Sequence, residues 1–134
     1  AIMLYNIPEG IATAIPFTKT DMKPFKIAAI TFLSGLAEPI RWSYFTKDNV
    51  SRETDNFGIY ELGNDDDILY IGEGKVYTRL MLHFPTGSEP VVGASYYRVE
   101  YTGSKLRAEQ RQNAELAAYE RTHGRLPRFN HRRR

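Results

Sequence analysis

The sequence predicts an α+β domain: a small, three-stranded, mostly antiparallel sheet flanked by helices, behind an N-terminal apolar helical segment. Three observations carry that expectation. Residues 57–62 and 68–71 are short β-prone runs, and Gly63-Asn64-Asp65-Asp66-Asp67 between them has the composition of a tight turn. Residues 75–84 repeat apolar side chains at helical spacing. Residues 104–124 begin on a capping serine and end on a glycine, the two punctuation marks of a long helix. The element order is therefore strand, strand, helix, strand, helix.

The chain changes character near residue 40. Before it, residues 11–17 and 27–37 are apolar patches separated by a polar stretch, residues 18–26. The second patch is apolar around its whole helical circumference, so as a helix it is either fully buried or faces lipid. Pro39 ends it and pushes Glu38 out of the helical region. Residues 41–134 read as a second domain. After the turn, Gly72-Glu73-Gly74 breaks the second strand. The following helix places Val76, Leu80 and Phe84 on one face, and Pro85 stops it. Residues 87–93 form a loop, and residues 94–101 are a third strand alternating through Tyr97, Val99 and Tyr101. Ser104 caps the last helix, which runs to about His123 with Gly124 just past its end.

Length and composition restrict the function classes. The 134 residues are 42% hydrophobic and 25% charged with mean hydropathy −0.46, which excludes a disordered chain, a coiled coil and a collagen. No apolar run approaches the roughly 18–20 residues of a membrane-spanning helix. There is no cysteine, hence no disulfide, thiolate metal site or cysteine nucleophile. That is compatible with a reducing compartment. Ala1 begins the chain without a basic leader, so no signal peptide is read and the expected location is cytoplasmic. The net charge of +2 is unevenly spread: residues 41–97 hold five Lys/Arg against nine Asp/Glu, and residues 98–134 hold ten against four. Such a basic final third attracts a polyanion by steering and counterion release. The same charges also serve simply to solvate a helix and a tail.

Gly58-Ile59-Tyr60 lies in the first strand run and Tyr70-Ile71-Gly72 in the second. Arg79 and His83 follow on the first helix, Glu115 on the second, and Pro127-Arg128-Phe129-Asn130 near the end. Over about residues 57–130 this combination resembles the GIY-YIG nuclease superfamily. Its members include homing endonucleases, some restriction enzymes and a domain of bacterial excision-repair proteins. The resemblance implies phosphodiester hydrolysis assisted by one divalent ion, Mg²⁺ or Mn²⁺. It also implies a nucleic-acid partner, DNA in the first instance, and no small-molecule cofactor.

Carried over by position, the resemblance makes Tyr60 and Tyr70 the motif tyrosines, one of them near the attacking water. Arg79 becomes the phosphate-binding arginine, His83 a histidine that some members have, and Glu115 the metal ligand. Gly58, Gly72 and Asn130 become structural residues of the motif. The chemistry is consistent, because a hard carboxylate oxygen suits these ions and a guanidinium matches a phosphate with paired donors. Lys75, Lys105, Arg107 and Arg111 are candidate contacts to a nucleic-acid backbone. The expected geometry brings Tyr60, Tyr70, Arg79 and Glu115 to one concave face while Ile59 and Ile71 point to the core.

Each residue also has an ordinary reading. The tyrosines suit any half-buried strand, and Arg79 any exposed helix. Glu115 stands four residues after Arg111, the spacing of an ion pair, and Glu109 and Glu120 share its helix. His83 falls near a helix C-terminus, where the dipole favours its cation. A non-catalytic module on the same fold, binding nucleic acid or a protein, is the alternative function.

Tyr5-Asn6-Ile7-Pro8-Glu9-Gly10 and Ser34-Gly35-Leu36-Ala37-Glu38-Pro39 carry a second resemblance, to two helix motifs of ZIP-family divalent metal transporters. It implies that Asn6, Glu9 and Glu38 derive from a metal site. Two such helices are a fraction of a transporter bundle and cannot carry metal across a membrane alone. The expectation is a transporter remnant joined near Arg41 to the second domain, with membrane contact only if residues 1–40 keep that character. A fragment of such a transporter is the third functional alternative.

Overall fold

Tyrosines and β-branched residues at alternate positions build a sheet in the computed structural model, which describes residues 41–131. The apolar helices and ZIP-like motifs expected at residues 1–40, and Arg132–Arg134, lie outside the described residues. The elements are β1 (Ser43–Tyr44), α1 (Lys47–Val50), β2 (Phe57–Gly63), β3 (Ile68–Lys75), α2 (Val76–Leu82), β4 (Tyr96–Tyr101) and α3 (Lys105–His123). The sheet order is β1-β4-β2-β3, and every neighbouring pair is antiparallel.

The α+β class is as expected, but the sheet has four strands rather than three. The addition is β1, two residues that pair Ser43 with Tyr97 and Tyr44 with Tyr96 and so cover an edge of β4. A two-residue strand has no period to read. The β2–β3 connection is the turn its composition announces: Asn64 Oδ1 accepts from the N–H groups of Asp66 and Asp67. Thr46 caps α1 by accepting from Asn49 N, and Ser104 caps α3 by accepting from Arg107 N. Gly124 ends α3 with φ 75° and donates to Glu120 O, the left-handed stop that a glycine permits.

Gly72-Glu73-Gly74 does not break β3, which continues to Lys75. These glycines are required by what lies over them. Gly72 stands opposite Tyr60 in the β2–β3 register, and a Cβ there would run into the Tyr60 ring. At Gly74, with φ 133°, a Cβ would lie 3.0 Å from Arg79 Cγ. Gly72→Ala is therefore expected to destabilise the domain by about 1–3 kcal/mol through overpacking. A shifted midpoint in urea unfolding checks this, and an unshifted one contradicts it.

Residues opposite one another in register share a face, so the pairing sorts the side chains into two layers. Tyr60, Leu62, Tyr70 and Tyr97 face α2 and pack with Val50, Val76, Leu80, Phe84 and Val91. The three apolar positions expected on α2 are thus all in the core. Ile59, Glu61, Ile71, Tyr96 and Arg98 face α3, where Trp42, Leu116 and Tyr119 complete a second cluster. That second layer encloses a buried ion pair, Arg98 Nε to Glu61 Oε1 at 2.7 Å. Among the described residues no helix is long and apolar enough to cross a membrane.

Candidate active site

Tyr60 lies in the middle of β2 and is buried under α2, where His83 caps the helix C-terminus. His83 Nδ1 is 2.7 Å from the backbone oxygen of Glu89. A carbonyl only accepts, so Nδ1 carries the hydrogen and Nε2 presents a lone pair. The Tyr60 hydroxyl, 2.7 Å from Nε2, donates into it. Burial lowers the pKa of His83, and the neighbouring Arg79 lowers it further, against the raising effect of Glu89. Burial is the largest of these effects and favours the neutral ring. Burial, with Tyr70 beside it, drives the Tyr60 hydroxyl far above its usual range despite the nearby Arg79. Tyr60 is a fixed neutral donor and not a phenolate.

Tyr70 stands on the same face, its ring centroid 6.1 Å from that of Tyr60 and 4.9 Å from that of His83. Its hydroxyl makes no hydrogen bond to another described residue. Arg79 reaches across from α2, its stem lying over Gly74 where no Cβ intervenes. Its Nη2 donates to Glu89 Oε1 at 2.8 Å. Burial disfavours the guanidinium charge, but the hydrogen-bonded Glu89 carboxylate favours it, and its pKa is raised. Of the four residues expected on one face, Tyr60, Tyr70 and Arg79 lie together, with His83 beside them.

Tyr70 and Arg79 open into a cleft of about 860 Å³ along the free edge of β3, which Glu73, Gly74, Lys75, Glu89, Lys105 and Asn130 also line. Asn130 closes one end as a false strand: its Oδ1 accepts from Ile71 N at 2.9 Å and its Nδ2 donates to Ile71 O at 3.0 Å. Gln112 Nε2 adds a bond to the same carbonyl, and Phe129 N donates to Leu69 O. Gly58 is structural, since a Cβ there would sit 2.5 Å from the Glu100 carbonyl on β4.

Glu115 does not join this cleft. It is buried on α3 and bonded to Arg111 Nη2 at 3.1 Å, while the same guanidinium holds Glu100 at 3.0 Å. Glu100 pairs with Ile59 in register and so projects on the α3 side, across the sheet from Tyr60 and Arg79. The single concave face including Glu115 is corrected accordingly. Helix α3 packs on the sheet face that α2 leaves, and the spacing of four joins Arg111 to Glu115 as an ion pair. Arg111 is turned toward those carboxylates, away from a ligand in the cleft. Lys105 remains at the rim, 3.4 Å from both Glu73 and Glu109. Lys75 is exposed with its ammonium 5.5 Å from the Phe57 ring centroid, and Arg107 is exposed on α3.

Two cleft residues were not among the expected site residues. Glu73 sits inside the motif strand, where it reads as part of a break. Its Oε1 is buried and has no hydrogen-bond partner among the described residues. Glu89 lies in the irregular segment between α2 and β4, between Ser88 and Pro90, where no period or motif marks it. No group of three or more His, Asp or Glu side chains gathers among the described residues. A Mg²⁺-type ion needs no such group, because it keeps several waters and takes one or two carboxylates. Glu73, like Glu100, pairs with Ile59 in register and so projects on the α3 side of the sheet, where its Oε2 lies 3.4 Å from Lys105 Nζ, and Glu115 is held there by Arg111.

A four-stranded antiparallel sheet with a helix on each face and a tyrosine-lined cleft at its free edge defines a small α+β domain. The chain belongs to the family of the domain of unknown function DUF7508, whose family model matches residues 37–123. That stretch includes Tyr60, Tyr70, Arg79, His83, Glu89 and Glu115, and Asn130 lies beyond it. No curated protein and no solved structure matches the chain.

Proposed function

We propose that residues 41–134 form a GIY-YIG-type domain that binds nucleic acid, DNA in the first instance, along the β3 edge and cleaves its phosphodiester backbone with one Mg²⁺ or Mn²⁺ ion. The observation that carries this reading is the convergence of Tyr60, Tyr70, Arg79 and His83 around the two paired motif strands. Arg79 presents its guanidinium to the scissile phosphate and stabilises the charge that develops there. Lys75 and Lys105 at the rim draw the flanking phosphates. The Tyr70 hydroxyl, which bonds to no other described residue, orients the attacking water. Tyr60 and His83 support it from behind: their hydrogen bond fixes both rings, and the neutral imidazole adds no charge beside Arg79. The ion, when bound, would supply neutralisation of the leaving oxygen and a more acidic bound water.

A second reading keeps the fold and the cleft but not the chemistry. The position of Glu115 behind the sheet and the engagement of Arg79 by Glu89 favour a non-catalytic binding module. One experiment separates the two. The full chain is incubated with supercoiled plasmid and with branched DNA in Mg²⁺, in Mn²⁺ and in chelator. The enzyme reading expects metal-dependent nicking, slowed about 100-fold in Tyr70→Phe as for other positioned proton-handling groups. Salt-sensitive binding with no nicking in either metal overturns it in favour of the module.

A further inference from the structure

We infer that Glu89 is an internal stand-in for the substrate phosphate: its carboxylate occupies the Arg79 guanidinium and yields only to a ligand that is also held along the β3 edge. This inference rests on the proposed role of Arg79 as the phosphate-binding residue. A carboxylate and a phosphate offer a guanidinium the same paired oxygens, so each competes for the donors that hold the other. Arg79 Nη2 already makes that contact, 2.8 Å from Glu89 Oε1.

The construction around Glu89 separates a fixed main chain from a releasable side chain. Its N–H donates to Leu82 O at 3.0 Å, and its carbonyl accepts from His83 Nδ1 at 2.7 Å. Val91 N donates to His83 O at 3.0 Å and Gly87 N to Phe84 O at 2.8 Å, so the turn is pinned on both sides of the residue. Gly87 is packed so closely on the Leu82 carbonyl that a Cβ there would collide with it. The Glu89 side chain, by contrast, is 52% exposed, against 29% for Arg79. Rotation of the carboxylate into water needs no movement of the turn and no loss of the Tyr60–His83 bond.

This arrangement selects ligands. A lone phosphate must displace Glu89 with nothing but Arg79 to gain. A polynucleotide brings further phosphates to Lys75 and Lys105, which line the same cleft. Glu89 is thus a specificity-determining residue, setting a threshold that favours the polymer over single phosphates.

The test is a set of equilibrium titrations of the full chain in chelator, with a fluorescently labelled oligonucleotide and with inorganic phosphate as competitor. The proteins are wild type, Glu89→Gln, Glu89→Ala, Arg79→Ala and the double variant Glu89→Gln/Arg79→Ala. Both Glu89 variants keep their fold, because the residue is half-exposed and its main-chain bonds remain. Each is expected to bind the oligonucleotide about five- to tenfold more tightly, the scale of a modest coupling between sites. Phosphate, a weak competitor against wild type, is expected to compete at lower concentration in both. The gain is expected to vanish in the Arg79→Ala background.

Unchanged or weakened binding in both Glu89 variants overturns the inference. So does an equal gain without Arg79, which is a general charge effect. If Arg79→Ala weakens binding while the Glu89 variants do not strengthen it, only this inference fails. Wild-type binding that ignores Arg79 removes the proposed function itself.

Discussion

Arg98→Leu is expected to destabilise the domain by about 3–5 kcal/mol, the largest stability effect of any single change considered, because it breaks a buried ion pair and leaves its carboxylate behind. Arg98 and Glu61 are 1% and 0% exposed, and Nε lies 2.7 Å from Oε1. They face one another in the β2–β4 register, and the Arg98 guanidinium also lies 4.6 Å from the Trp42 ring centroid. Deleting the cation removes the charge partner of a buried carboxylate and the cation–π contact with Trp42. Replacing both partners with leucine removes the stranded charge, so the double variant is expected to regain most of the loss. Urea unfolding of the two single variants and the double variant measures this. A double variant as unstable as Arg98→Leu would show that packing, and not charge, dominates. The pair also matters to the cleft, because Glu61 follows Tyr60 on β2 and anchors that strand from the opposite face.

The features legible in the sequence are those with short-range causes. Turn chemistry at Asn64, the apolar stripe Val76, Leu80 and Phe84, and the two caps of α3 each depend on a few neighbouring residues. The motif strands pair as antiparallel neighbours, as their turn requires. What was illegible depends on partners distant in sequence. Gly72 and Gly74 read as breakers, although they clear room for Tyr60 and for Arg79. Glu61 and Arg98 look like ordinary strand charges until the sheet pairs them. The side of the sheet taken by Glu115 was undetermined because α3 buries only Ala108, Leu116 and Tyr119 as apolar residues, too thin a stripe to fix its rotation. The neutral state of His83 follows from burial against Tyr60, which its place at a helix end does not announce. Glu89 has no local signal at all.

The second large effect concerns Arg79. Arg79→Ala is expected to slow phosphodiester cleavage about 10²–10³-fold, the usual loss when one preorganised donor to the transition state is removed. Stability is expected to change little. The side chain is partly exposed, and its pair with the half-exposed Glu89 contributes no more than about 1 kcal/mol after solvent screening. Loss of cleavage without loss of fold separates this residue from Arg98, where both fall together. The alanine also leaves space beside Gly74 at the cleft that Arg79 lines.

That gap permits the most direct measurement: single-turnover cleavage of plasmid by wild type and by Arg79→Ala in Mg²⁺ or Mn²⁺, with and without added guanidinium ion at millimolar concentration. The account predicts metal-dependent cleavage by wild type, a large loss in the variant, and partial recovery when free guanidinium fills the vacated place, with no recovery from added sodium at equal ionic strength. Equal rates for wild type and Arg79→Ala, or no cleavage by wild type in either metal, would contradict it.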